Sequence, residues 1–160
     1  YMYFRDKEDL FRYLIQESMD ALLLAFEEIL RRSGGDVFAA LPEMYDYLQS
    51  HREWDRSLGG MGMMAAIANC NGEDRSGGAL KFVDTELVLK RMEACVNPDL
   101  LDLRQPEDLD AILRMLMTLL GPVLYSGLQP EPEPEGRAKL EQALKILQRG
   151  MGVKSMPGQQ

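Results

Sequence analysis

The sequence predicts an all-α domain of about six or seven helices, and three observations carry that prediction. Apolar residues recur at spacings of three and four along most of the chain, and no stretch alternates with the period of a strand between turn residues. Capping and stopping residues stand where the periodic runs begin and end. With 46% hydrophobic and 28% charged residues over 160 positions, the chain has the composition of one ordered domain with a sizeable core.

The first helix is predicted to begin near Lys7. Asp6 is a suitable N-cap for the free amide at the third helical position, and Glu8 and Asp9 put negative charge where the helix dipole favours it. Leu10, Phe11, Leu14, Ile15, Met19, Leu22, Leu23, Phe26, Ile29 and Leu30 then mark one face. Phe4, just outside the cap, is placed to pack back on the first turns. Arg31 and Arg32 suit the last turn, and Ser33-Gly34-Gly35 stops the helix.

Asp36 can cap a second helix carrying Val37, Phe38, Leu41, Met44, Tyr45 and Leu48, which Pro42 should kink or divide in two. His51 to Asp55 reads as a corner, Met61 to Ala68 as a short apolar helix, and Asn69 to Gly78 as a polar loop. Helical spacing resumes at Leu80, Phe82, Val83, Leu87, Val88, Met92 and Val96, and Asn97-Pro98-Asp99 ends it. After a loop to Gln105, Pro106-Glu107-Asp108 is an acidic helix start. From Leu109 to about Gly127 the run is apolar on most sides and must be covered on most sides. The alternating Pro and Glu of Gln129 to Gly136 make a stiff linker. A last helix carries Leu140, Ala143, Leu144, Leu147 and Met151, ends at Gly150 and Gly152, and leaves 153–160 as a frayed tail.

A net charge of −8 with scattered basic residues argues against nucleic-acid binding by these residues alone. Cys70 and Cys95 are too few for a disulfide scaffold, which favours reduced thiols and a cytoplasmic location, a single disulfide being the one crosslink possible. Met115 to Leu128, the longest uncharged stretch, is too short for a membrane span. His51 is the only histidine, which removes histidine-pair zinc sites and most triad chemistry. Gly60-Met-Gly62-Met-Met-Ala65 matches a dinucleotide fingerprint in letters only, since His51 to Leu58 is no strand. Asp84 and Glu86 point apart on a helix. No nucleophile and base stand as a pair, so neither enzyme chemistry nor a cofactor is expected.

Tyr1, Tyr3, Phe4, Lys7, Glu8 and Leu10 together resemble the junction between the DNA-recognition helix and the following helix in TetR/AcrR-type transcriptional regulators. The resemblance covers the whole chain in architecture and residues 1–10 in motif. It implies that 1–5 are the last turn of a helix-turn-helix whose remainder lies upstream of Tyr1, and that 6–152 form a ligand-binding and dimerization domain. The protein would then be a ligand-responsive regulator, most often a repressor in that family, reaching operator DNA through the upstream part. The two long C-terminal helices would pair with those of a second subunit in a four-helix bundle, giving a homodimer through Leu109, Ile112, Leu113, Leu116, Leu120, Leu140, Leu144 and Leu147. Tyr1, Tyr3 and Lys7 would meet DNA phosphate, for which a phenol, an ammonium and free helix amides are suitable ligands. Tyr45, Trp54, Met61, Met64, Phe82, Met92 and Met115 would line a pocket for an apolar effector, methionine being adaptable to varied ligands. A helical protein-interaction module without a small ligand is the alternative.

Overall fold

A computed structural model of the chain describes residues 3–51, 85–120 and 135–151. Five α-helices are found among them, together with one 3-10 turn, Pro98–Leu100, and no strand. The helices are α1 (Lys7–Arg32), α2 (Val37–Ser50), α3 (Thr85–Glu93), α4 (Asp108–Thr118) and α5 (Gly136–Met151). The all-α prediction therefore holds over the described residues. The expected short helix at Met61 to Ala68, the loop at Asn69 to Gly78, the fingerprint-like string and the Pro-Glu linker up to Pro134 lie outside them, while Gly136, expected to close that linker, is the first residue of α5.

Local chemistry explains the limits of α1. The Asp6 carboxylate accepts from the Asp9 amide at 2.8 Å, and Leu10 N–H donates to the Asp6 carbonyl, so the free amides of the first turn are partly satisfied. At the other end the Ser33 amide closes on Ile29 and the Gly35 amide on Leu30 at 2.8 Å. Both glycines of this turn have positive φ, +66° at Gly34 and +77° at Gly35, a region that side chains other than glycine's disfavour. Asp36 then caps α2 by accepting from Phe38 and Ala39.

Four expectations change. α2 runs unbroken from Val37 to Ser50 through Pro42, so no second helix starts there. Proline six positions into the helix deprives only the Phe38 carbonyl of its donor, and buried Leu41, Met44, Tyr45 and Leu48 hold the helix on both sides. α3 ends at Glu93; the Cys95 and Val96 amides turn back to Met92 and Glu93, and the Asn97 side chain caps the following 3-10 turn. α4 begins at Asp108 rather than Pro106, because the Asp108 carboxylate reaches back to the amides of Arg104 and Gln105 and makes 104–108 a closed turn. Gly150 lies inside α5 instead of ending it.

The helices pack in the order α5 on α2, α2 on α1, α1 on α3 and α3 on α4, so α1 stands at the centre. Its C-terminal half supplies Leu23, Phe26, Ile29 and Leu30 to a single core with Met44, Leu89, Met92, Leu113, Leu116, Leu140 and Leu144. Each such side chain contributes about 1.5–3 kcal/mol by leaving water. From Lys7 to Leu22, by contrast, no residue whose side chain is described is buried. α1 is 26 residues long, about 39 Å, and roughly its first half adds no described side chain to the buried core. Two polar ties close the arrangement: Arg137 on α5 grips Asp46 on α2 at 2.8 and 3.0 Å, and the Asp102 amide donates to the Met151 carbonyl.

Candidate functional site

Three regions hold the residues that the sequence singles out. The first is the tip of α1. Tyr3 is 88% exposed and Lys7 is exposed one turn later, both beside the capped helix start, where they are free to meet a solvent-side partner. Phe4 packs on Tyr13 with ring centroids 5.4 Å apart and an interplanar angle of 51°, so the segment ahead of the cap is folded back along the helix. Leu10 and Tyr13 remain substantially exposed on the same half of α1. Tyr1 lies outside the described residues.

The second region is the middle of the core. Tyr45 is buried on α2, its hydroxyl accepting from Gln49 at 3.1 Å, and Met92 on α3 is 1% exposed. Both belong to the same packed cluster. Met115 does not join them: at 40% exposure it faces outward from α4. Trp54, Met61, Met64 and Phe82 lie outside the described residues. Among the described residues every buried side-chain nitrogen and oxygen has a partner, and no three His, Cys, Asp or Glu side chains converge as metal ligands.

The third region is the pair of C-terminal helices. Ile112, Leu113, Leu116 and Leu120, with Leu140 and Leu144 on α5, are buried by the chain's own core within one protomer. Leu109 and Leu147 are half-buried against that core. The apolar stripes are thus already covered, and the sides left open carry Ala111, Arg114, Met115 and Thr118 on α4 and Gln142, Lys145, Ile146 and Arg149 on α5. Ile146 is 59% exposed.

One cluster at the centre has no counterpart in the sequence reading. Glu27 is the one buried charged residue among those described, and it faces α3 from α1. Arg91 Nε donates to Glu27 Oε1 at 2.7 Å, and Arg91 Nη1 reaches Asp20 Oδ1 at 3.4 Å. Arg31 Nη2 stands 3.8 Å from the other Glu27 oxygen. The hydrogen bond from Arg91 holds the Glu27 carboxyl below the ordinary glutamate range, against the opposing push of burial, with the nearby Arg91 and Arg31 charges adding to the lowering. Its position was legible in part: an acid between Phe26 and Leu30, four residues after Leu23, falls on the apolar arc of α1. The other inter-helix pairs, such as Arg114 with Glu86 at 2.7 Å and Arg32 with Glu43 at 3.1 Å, are between half-exposed groups.

Glu27 and Arg91 have the chemistry of a fixed ion pair, with the guanidinium bonded to Glu27 and reaching Asp20 as well. No helix of the described residues is long and apolar enough to cross a membrane. Compared with protein-family models, with curated proteins and with solved structures, the chain matches none.

Proposed function

We propose that this chain is the effector-binding and dimerization part of a TetR-type transcriptional regulator. The observation that carries the reading is the junction at Asp6: a capped long helix, an aromatic folded back on it, and exposed Tyr3 and Lys7 at its tip, in the residue order of that family's motif. An all-helical chain centred on one long helix supports it. In this reading α1 links effector to DNA. A differential affinity of an apolar effector of about 1–3 kcal/mol would change DNA affinity roughly 5- to 150-fold.

A protein bearing a helix-turn-helix ahead of Tyr1 is expected to bind an inverted-repeat operator, and Lys7→Ala to weaken all sequences alike while reducing the salt slope by about one. Sequence-specific DNA binding by these 160 residues alone would overturn the reading. A homodimer belongs to the same proposal. With Leu113, Leu116, Leu140 and Leu144 occupied inside the protomer, a second copy would have to meet the sides bearing Met115 and Ile146. Sedimentation at micromolar concentration checks this, and a stable monomer would remove it.

The close packing of Tyr45 and Met92 favours a second reading, a helical interaction module with no small ligand. Thermal shifts against a broad set of apolar compounds separate the two: the regulator responds to at least one compound, the module to none.

A further inference from the structure

α1 and α3 pack on each other and give Leu23 and Leu30, and Leu89 and Met92, to one apolar core, with a single buried ion pair, Glu27 with Arg91, joining the two helices. An apolar stripe of this kind specifies its register poorly. Leu23, Leu24 and Leu30 lie within one turn of Glu27 on its side of α1, so moving α1 by one turn, about 5.4 Å, again offers aliphatic groups to α3. The charged groups do not repeat in this way. Asp20 and Glu27 are seven residues apart on one face of α1, about 10.5 Å along the axis, and the Arg91 guanidinium contacts both at once. A shift by one turn breaks both contacts, and a rotation by one residue carries both acids out of the seam. The one-turn shift also parts the buried Glu27 from Arg91 and leaves it only Arg31, 3.8 Å away on its own helix, which disfavours the shifted register.

We propose that Arg91 is a positioning residue that clamps α1 in one register on α3, and so sets where the exposed tip of α1 stands. Arg91 acts through Glu27 and Asp20 and touches nothing else that the proposal needs. The consequence is mechanical. The half of α1 ahead of Asp20 has no described residue in the core, so it follows the clamp as a rod of about 20 Å between Lys7 and Asp20. This holds whatever the tip of α1 contacts, and it does not depend on the DNA reading.

The test replaces the pair by apolar residues, Glu27→Leu with Arg91→Leu, which removes both charges and leaves a packable seam. The melting temperature and the methyl resonances of Leu23, Leu30, Leu89 and Met92 are then read in the full chain. A clamp predicts a cooperative melt with each seam methyl split into two or more resonances, or with at least half its intensity lost to exchange. One sharp set of seam methyls would overturn the proposal, because the pair would then only hold the helices together. Should the double variant fail to fold, Arg91→Lys decides. Lysine keeps the charge and cannot span both acids, so split seam methyls support the clamp and a single native-like set refutes it.

Discussion

Gly35 and Gly34 form an internally controlled pair of perturbations in the turn that joins α1 to α2. Both have positive φ, so a methyl group at either costs about 1–2 kcal/mol of backbone strain, partly offset by roughly 0.4–1 kcal/mol from the stiffer unfolded chain. Their surroundings differ. A Cβ at Gly34 would meet nothing within 4 Å, whereas one at Gly35 would lie 2.4 Å from the Asn97 backbone nitrogen and 3.0 Å from the Cys95 carbonyl oxygen. Backbone must move to admit it. The Asn97 amide donates to the Gly35 carbonyl at 2.9 Å, and separating the two segments forfeits that bond, about 1 kcal/mol, with about 1–3 kcal/mol more for displaced packing. Gly34→Ala should therefore cost about 1 kcal/mol and Gly35→Ala about 3 kcal/mol. For a chain of this size these correspond to melting temperatures lower by about 3 °C and about 9 °C. Circular dichroism at 222 nm, in thermal and urea melts, measures both (a helix signal). Equal losses in the two variants would refute the close approach of this turn to the segment after α3.

Leu116 on α4 is fully buried, so Leu116→Ala should lower unfolding free energy by about 2–5 kcal/mol in a urea titration; a loss below about 0.5 kcal/mol would mean that α4 does not face the core as described. The Glu27 carboxyl titrates below its ordinary value near 4.5 because Arg91 bonds its charged form. Its stabilising contribution is thus fully present above that ordinary value and is lost as pH falls through the lower folded value. Glu27→Gln should lower the melting temperature near neutrality and flatten its decline in acid, and an acid limb parallel to that of the parent would contradict the pairing.

Much of the helical layout is written in short-range chemistry. Asp6, Asp36 and the Gly34-Gly35 pair each act within a few residues, so the limits of α1 and the start of α2 follow from composition and spacing alone. Errors arise where a side chain chooses among neighbours. Asp108 reads as an acid in the first turn of a helix opened by Pro106, yet its carboxylate closes a turn with the amides of Arg104 and Gln105, and α4 starts at Asp108 itself. Pro42 is tolerated within α2 because packing on both sides outweighs one lost donor.

The candidate site was legible unevenly, for the same reason. Exposure of Tyr3 and Lys7 follows from their place ahead of and at a capped helix start, and the burial of Tyr45 and Met92 from helical periodicity. Periodicity identifies an apolar face without saying what covers it. Leu113, Leu116, Leu140 and Leu144 read equally well as a surface for a second subunit and as the inside of one protomer, and within this protomer they are covered by the chain's own core.

By itself the sequence determined the helical class, the caps and stops, and which residues are apolar on which face, because these depend on backbone hydrogen bonds and side chains within about one turn of each other. Only the tertiary structure decided the partners of those faces. Glu27 becomes a buried anchor through an arginine 64 residues away, and the α1–α2 turn meets Asn97 only because α3 lies against α1. Such contacts join segments distant in the chain, and nothing in the local spacing of either segment encodes the other.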